Sequence, residues 1–556
     1  MIRFKLIGVL LTIGFLIVWL RLFYWQVLSH ERLQEDADSQ HFFRLEIPAL
    51  RGEIRTSDGS TLVTNQTAYL VFAEKNNIKH IDEMVKKLAP ILEESEASLS
   101  ARFASSDMWV PLKSQVEEEK VQKIKELQLG GLGFERDDKR YYPEASMAAH
   151  LLGFVGKNEL GQHQGYFGLE GYYDKELRGQ SGTLRQERDA MGNPIVIGEH
   201  ERINSKNGHS LVLYLDKTVQ FIVEEKLKKA LGKYGAKAGN VIVMDPETGG
   251  IIASASFPSY DPGHIQDFPG EYYKNPAIAD SYEPGSTFKP LIMGAAIDRK
   301  KIKATDTFDE DGSVHVANYT IKTWNDEYHG NITMTQILEY SSNVGMVYVG
   351  GQLGNQELLS FVKSLGIGES TGVDLQEESY AALRPDDQWR EIDYATVSFG
   401  QGIAVTPLQM IRAIAAVAKE GVLMEPRAVQ FIVSENESKI AIPSKKVRQL
   451  VSYTTAKIVT EMMIAAVSQG EAKWAVPKGY RIAGKTGTAQ IPVEGHYDSE
   501  KTIASFVGFA PADAPRFVML VTLREPQSSP WGSETAAPLF FDIAKEILPY
   551  YGIVPQ

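Results

Sequence analysis

The sequence predicts an α+β protein: an antiparallel sheet packed with helices, an elongated mixed α/β module before it, and one membrane-spanning helix at the amino end. Three observations carry that expectation. An uncharged apolar run follows two basic residues at the start of the chain, strand-like runs cluster beyond residue 206, and helical periodicities fill the interval between them. The chain has 556 residues, room for several cores, and its 43% hydrophobic and 23% charged content is that of an ordinary globular protein. Its 58 basic against 71 acidic residues give a formal net charge of -13, and no basic block offers a phosphate-neutralising surface, so no nucleic-acid partner is expected. With no cysteine at all, disulfides, thiol nucleophiles and thiolate metal sites are excluded, and the chain is safe in an oxidising compartment.

The apolar run at residues 6–20 would span only about 22 Å of a roughly 30 Å hydrocarbon core. Beyond Arg21 it continues through Leu22, Phe23, Tyr24, Trp25, Val27 and Leu28, with aromatics at the height of an interfacial belt and an arginine able to snorkel. The next residues, Ser29-His30-Glu31-Arg32, offer no small-x-small cleavage site, which points to a retained anchor over residues 6–28 rather than a cleaved signal. Arg3 and Lys5 precede the span and Glu31, Glu35, Asp36 and Asp38 follow it, so residues 1–5 are expected in the cytoplasm and the remainder outside the membrane.

From residue 29 to 205 the chain mixes short β-like runs, such as residues 69–73, with amphipathic stretches at 81–94 and 117–127. No nucleophile–base pair stands out there. The turn-rich segment Asn204-Ser205-Lys206-Asn207-Gly208 marks a boundary near 206, followed by a strand at 210–215 and a helix at 218–231. Residues 241–244 and 251–255 flank Asp245-Pro246-Glu247-Thr248-Gly249-Gly250 and read as a hairpin. Strand-like runs at 482–491, 503–509 and 517–523 complete one antiparallel sheet, with helices expected at 288–297, 408–418, 455–467 and 538–548.

The chemistry lies in three short segments. In Glu283-Pro284-Gly285-Ser286-Thr287-Phe288-Lys289 a turn is followed by serine and lysine three apart, a spacing that puts both on one face of a helix's first turn. Ser360-Phe361-Val362-Lys363 repeats the spacing, but its neighbours Leu358, Leu359 and Leu365 make it the polar face of an amphipathic helix. Tyr340-Ser341-Ser342-Asn343 ends an apolar helical stretch and offers a hydroxyl and an amide two apart in a loop. Gly484-Lys485-Thr486-Gly487-Thr488 sits in a strand, where glycine marks the close approach of another backbone, such as an extended peptide at a sheet edge.

Taken together and in this order, Ser-x-x-Lys, Ser-x-Asn and Lys-Thr-Gly resemble the penicillin-binding transpeptidase and serine β-lactamase superfamily. Arg51-Gly52-Glu53-Ile54, Arg140-Tyr141-Tyr142-Pro143, residues 149–154 and Gly168-Leu169-Glu170 look like the amino-terminal module of class B penicillin-binding proteins. Asp245-Pro246-Glu247-Thr248-Gly249, residues 258–262 and Ser398-Phe399-Gly400-Gln401-Gly402 look like their catalytic domain. Residues 341–346 are more similar to the division-type, septal branch than to the elongation-type branch. The resemblance implies a pedestal or dimerisation-like module over residues 29–205 and a transpeptidase domain over residues 206–556.

It also implies D,D-transpeptidation: Ser286 attacks the D-alanyl-D-alanine bond of a peptidoglycan stem peptide, and the acyl group passes to a neighbouring stem's amine. With no histidine in the motifs, Lys289 must act as the base and be at least partly neutral. Lowering a lysine from about 10.4 to near 8 costs roughly 3.3 kcal/mol, and a second cation about 5 Å away at an effective dielectric of ~20 supplies as much, which makes Lys485 the expected source. On the same resemblance Ser341 relays the proton to the leaving amine and Asn343 holds Lys289 and the substrate amide. Thr486 and Thr488, beside Gly487, bind the terminal carboxylate, and the N–H groups of Ser286 and Thr488 form the oxyanion hole. No cofactor or metal is implied; the expected partners are stem peptides, β-lactams, the membrane, a membrane glycan polymerase and division proteins, at the division site of the cell membrane. Two alternatives stay open, a serine β-lactamase or β-lactam sensor and a non-catalytic scaffold. A class A hydrolase would need Glu-x-x-x-Asn, and the fourth residue after Glu377 is Ala381.

Overall fold

The computed structural model describes residues 2–104, 108–159, 161–187, 195, 200–493 and 496–555. Its chain divides into two compact units, Met1–Arg51 with Arg178–Gly208, and Gly52–Leu177 with His209–Gln556. In the first unit a helix over Ile2–Phe23 runs on as a π-turn over Tyr24–Leu28, and none of these residues is buried. At ~1.5 Å per residue the continuous span Ile2–Leu28 is about 40 Å long, enough to cross a bilayer. The same unit holds a three-stranded antiparallel sheet in which Gly182–Glu187 lies between Phe42–Ile47 and His200–Ile203.

In the second unit the segment before residue 177 contributes a small sheet of Ala68–Glu74, Trp109–Glu117 and Leu132–Arg136. It is covered by the helices Ile81–Leu92 and Glu118–Glu126, in the amphipathic stretches of the sequence, and by Glu96–Phe103, which the sequence reading does not single out. This segment is joined to the later chain by a second sheet, where Ile54–Arg55 pairs in parallel with Ser210–Leu213. A buried carboxylate completes the junction: Asp374 accepts from the Tyr173 hydroxyl at 2.9 Å and from the N–H groups of Ala428 and Val429 at 2.6 and 3.0 Å. Such burial is tolerable because each oxygen is hydrogen-bonded. His150 has a structural place. It is buried, its Nε2 meets the Tyr272 carbonyl at 2.9 Å, and burial pushes its pKa down to about 4.

The remainder of this unit is built on one antiparallel sheet. The elements are α1 (Lys217–Tyr234), β1 (Ala238–Met244), β2 (Ile251–Phe257), α2 (Lys289–Asp298), α3 (Asn343–Leu353), α4 (Glu391–Val397), α5 (Pro407–Ala418), α6 (Tyr453–Ser468), β3 (Ala483–Val493), β4 (His496–Ala510), β5 (Phe517–Arg524) and α7 (Ala536–Tyr550). The strand order is β2-β1-β5-β4-β3, so the five strand-like runs of the sequence do form one sheet, with β3 at its edge. Period-2 alternation sends Val241, Val243, Phe506 and Val521 to the face covered by α1 and α7. Ile242, Met244, Val507 and Leu520 go to the face covered by α2, α5 and α6. The second Ser-x-x-Lys copy lies on the helix Asn355–Ser364, which buries Leu358, Leu359, Phe361 and Val362 and pairs Lys363 with Asp386 at 2.6 Å on the surface.

Two segments matched by motif before residue 177 meet through one ion pair. Arg140 Nε donates to Glu170 Oε1 at 2.7 Å with both side chains almost inaccessible, and Arg140 Nη1 donates to Asn65 at 3.0 Å. Removing one member strands a buried charge, so Glu170→Ala is expected to cost about 3–5 kcal/mol, read as a lower midpoint of urea unfolding. A midpoint within error of wild type would show that the pair is solvated.

Candidate active site

Gly285 opens the Ser286 turn at φ +55°, a left-handed conformation that glycine adopts freely, and a Cβ there would lie 3.3 Å from the Thr488 carbonyl. Its N–H is fixed to the Gly400 carbonyl at 2.9 Å. Residues Gly285–Phe288 form a 3₁₀ turn rather than the α-helical first turn the spacing predicts. The cause is Pro290, which has no N–H to close an α-type bond back to Ser286, so Lys289 N–H bonds there instead and the turn tightens. Three residues per turn eclipses the side chains of Ser286 and Lys289. Ser286 stays half-exposed at the cavity wall while Lys289 enters α2 with 0% of its surface exposed.

The buried ammonium has three protons, and three oxygens meet it. Lys289 Nζ donates to the Ser341 carbonyl at 2.5 Å, Ser341 Oγ at 3.3 Å and Asn343 Oδ1 at 2.9 Å. Presenting both oxygens of Ser341 to one donor holds that residue at φ +56°, a strain of about 1–3 kcal/mol for a residue with a Cβ. Asn343 is not in a loop, as the sequence suggests, but is the first residue of α3. Ser342 is its N-cap, accepting from Gly345 N–H at 2.8 Å. The Ser342 hydroxyl also donates to the carboxylate of Glu310, a fully buried acid that is held in turn by His329 N–H at 3.1 Å.

Lys485 projects from edge strand β3, in register with Val507, and is 4% exposed. Its Nζ lies 3.2 Å from Thr486 Oγ1. Burial pushes its pKa down to about 8, against the opposing charge of Glu471. Lys289 is driven well below the usual lysine range, first by burial and second by the charge of Lys485, with Glu471 and Glu310 opposing. The sequence makes Lys485 the leading cause; in the structure desolvation leads and Lys485 adds to it.

Ser286, Ser341, Asn343, Thr486, Gly487 and Thr488 line one cavity of about 70 Å³, and the two lysines stand behind its wall. All eight sequence-predicted side chains or backbones therefore converge. Gly487 is small for a reason the sequence does not give: a Cβ would sit 2.5 Å from Ser505 Oγ and 2.8 Å from Thr287 Cγ2, so what crowds it is the protein's own side chains. Trp324, Phe399, Gln401, Glu471 and Trp531 also line the cavity. The two tryptophan rings meet edge-on at 4.8 Å. Phe399 and Gln401 fall inside the Ser398–Gly402 segment already noted, whereas no local pattern marks Trp324, Trp531 or Glu471. Glu377 is exposed and does not line the cavity.

Comparison with known proteins matches residues 239–548 to the family described as "Penicillin binding protein transpeptidase domain" and residues 46–213 to "Penicillin-binding Protein dimerisation domain". Stage V sporulation protein D of Bacillus subtilis is 34% identical over 566 residues, covering 100% of this chain and 87% of that protein. Peptidoglycan D,D-transpeptidase FtsI of Escherichia coli K12 is 30% identical over 560 residues, covering 99% and 91%. Among solved structures, a peptidoglycan synthetase from Bifidobacterium adolescentis superposes with a TM-score of 0.75 at 27% identity, over 93% of this chain and 98% of that one. Penicillin binding protein 3 of Mycobacterium tuberculosis, complexed with aztreonam, superposes with a TM-score of 0.71 at 27% identity, over 92% and 98%.

Ser342 supports the cavity without lining it, so its contribution is readable as stability. Ser342→Ala removes the α3 cap and the proton donated to Glu310, and is expected to cost about 0.5–2 kcal/mol in thermal unfolding, with Ser342→Thr restoring most of it. Equal loss in both variants would mean that the site rejects any change of size there and that capping is not what Ser342 supplies.

Proposed function

The chain belongs to the class B penicillin-binding proteins, the peptidoglycan D,D-transpeptidases, and we propose that Ser286 is the nucleophile with which this one acylates itself on a stem peptide. What carries the assignment is that Ser286 lies eclipsed with a fully buried lysine whose ammonium is disfavoured. Neutral Lys289 takes the hydroxyl proton as Ser286 Oγ bonds to the carbonyl carbon of the D-Ala-D-Ala link. The C–N bond then breaks, and the leaving amine receives a proton relayed through Ser341, whose Oγ already touches Lys289 Nζ. An acceptor amine attacks the ester, loses its proton to the same Lys289–Ser341 pair, and Ser286 is released.

Asn343 keeps Lys289 in place and turns its amide nitrogen to the Lys322 carbonyl at 3.2 Å, next to the path of the substrate's peptide group. The terminal carboxylate meets Thr486, Thr488 and the charge of Lys485. The N–H groups of Ser286 and Thr488 form the oxyanion hole, supported by the close approach of Gly285 to Thr488, and one such donor is worth about 10²–10³ in rate. The same constellation acylates on β-lactams. The domain layout we assign is a cytoplasmic tail at 1–5, an anchor at 6–28, a pedestal at 29–205 and the transpeptidase domain at 206–556 outside the cell membrane.

Septal wall synthesis is the role supported by the segment at residues 341–346 and by the match to FtsI. The match to a sporulation protein over the whole chain favours a second setting, wall synthesis in spore formation. In either, the substrate is polymerised at the membrane surface, so a membrane glycan polymerase and division-type scaffold proteins are its partners.

One labelling experiment tests nucleophile and topology together. Spheroplasts exposed to a membrane-impermeant fluorescent penicillin should label wild type and Ser360→Ala but not Ser286→Ala. Label on Ser286→Ala would refute the nucleophile, and label only after lysis would refute the orientation. The pH profile tests the lysines. Acylation should rise as Lys289 loses its proton and fall as pH passes about 8, where Lys485 loses the charge that holds the carboxylate. Because arginine keeps its proton, Lys485→Arg should be slower overall yet lose the alkaline fall. An alkaline limb unmoved by that substitution would remove Lys485 from the account.

A further inference from the structure

The catalytic cavity shares Asn343, Phe399 and Gln401 with a groove of about 940 Å³. Its walls come from the 319–322 strand, from α4 and from the turn before it, and no residue of β3 lines it. Arg384 Nη1 lies 2.7 Å and Arg390 Nε 3.3 Å from the same oxygen of Asp393. Two guanidiniums on one carboxylate leave one positive charge unmatched, and the two side chains are 41% and 68% exposed, respectively. Lys322 also lines the wall, but its charge is matched by Asp326 at 3.2 Å, so the unmatched charge is that of the arginine pair. Of the two acids in the groove, Asp393 is already engaged by the arginines, and Glu283 accepts from Gly402 N–H at 3.0 Å. The groove therefore presents donors to an anion, beside the flat faces of Trp389 and Tyr319.

We infer that this groove seats the upstream part of the donor stem peptide and that Arg384 and Arg390 select a stem carrying a free carboxylate there. The inference rests on the transpeptidase reading and follows from direction. A substrate whose terminal carboxylate lies against β3 and whose scissile carbonyl lies at Ser286 continues, towards its amino end, past Asn343. The 70 Å³ cavity accommodates little beyond the reacting end, whereas the adjoining volume takes several residues. An amidated stem would offer the arginines a neutral oxygen and a nitrogen donor they cannot use.

The test uses the full chain in detergent and donors ending in a D-alanyl thioester, with thiol release as the readout. One donor carries an acidic residue with a free carboxylate upstream of the D-alanine; its twin carries the primary amide. Wild type should favour the acid by about tenfold in kcat/KM, and Arg384→Ala/Arg390→Ala should bring the ratio to near one. Arg390→Glu should invert it; this variant keeps the backbone N–H that donates to Asp393 at 2.8 Å, so it answers even where the double variant folds poorly. A ratio near one in wild type, or a tenfold ratio surviving in Arg390→Glu, overturns the inference. Fluorescent penicillin separates the failures: a chain that labels at Ser286 without discriminating the donors loses only the groove, and one that fails to label loses the reading of the site.

Discussion

A lysine with no exposed surface is the constraint round which this catalytic unit is arranged. An ammonium inside a protein is tolerated only where oxygens replace its water or where it gives up its proton, and Lys289 meets both conditions in part. Three acceptors must converge on one nitrogen, and two of them belong to Ser341, which is why that residue sits in a left-handed conformation. A strained residue persists only if its neighbours leave no alternative. Those neighbours are Ser342, tied at once to the first turn of α3 and to buried Glu310, and Asn343, held between Lys289 and the Lys322 carbonyl. The network that surrounds Lys289 is thus the one that positions the Ser341 hydroxyl and the Asn343 amide at the cavity wall.

The sheet supplies what this network cannot, a rigid opposite wall. β3 is an edge strand, yet it is held by its pairing with β4 along its length and by α6 packed beside it. It meets the Ser286 turn closely: a Cβ on Gly487 would lie 2.8 Å from Thr287 Cγ2, and one on Gly285 3.3 Å from the Thr488 carbonyl. Behind it Phe506 packs against Phe540 and Phe541 of α7, and a core of this density resists the small shifts that would open the cavity. Ser286, Ser341 and Lys485 come from three separate parts of the chain, and their separation is fixed by core packing rather than by any direct bond among all three.

Much of this is legible in sequence because the catalytic motifs also satisfy local rules. Pro284-Gly285 announces a turn, the alternation in residues 241–244 and 517–523 announces two-faced strands, and the apolar side of residues 355–364 identifies the second Ser-x-x-Lys as a surface pattern. What escapes the sequence is the detail of turn and cap geometry and whatever is long-range. The tightening of the Ser286 turn depends on a proline four residues on, and the helical setting of Asn343 depends on Ser342 acting as a cap. Glu310 is one of three consecutive acids and Glu471 stands alone in an unremarkable segment, and only the fold brings either near the lysines. The order of causes behind the lysine shifts is likewise a matter of burial, which no spacing of residues reveals.

That order has an energetic meaning. Lys485, brought from about 10.4 to about 8, costs folding on the order of 3 kcal/mol, a large share of a typical domain's stability. The cost is present in full below pH 8, where both folded and unfolded chains carry the proton, and it fades between about 8 and 10.4 as the folded chain alone releases it. Replacing the lysine by an apolar residue would relieve the cost and also remove the charge facing the substrate. Burial makes both lysines easier to deprotonate and Lys485 lowers Lys289 further, while Glu471 at the cavity rim opposes the shift on both. Near neutral pH Lys485, at about 8, keeps most of its charge, while burial and that charge together disfavour the proton on Lys289. On the proposed reading, that difference lets one small cavity both bind a carboxylate and deprotonate a hydroxyl.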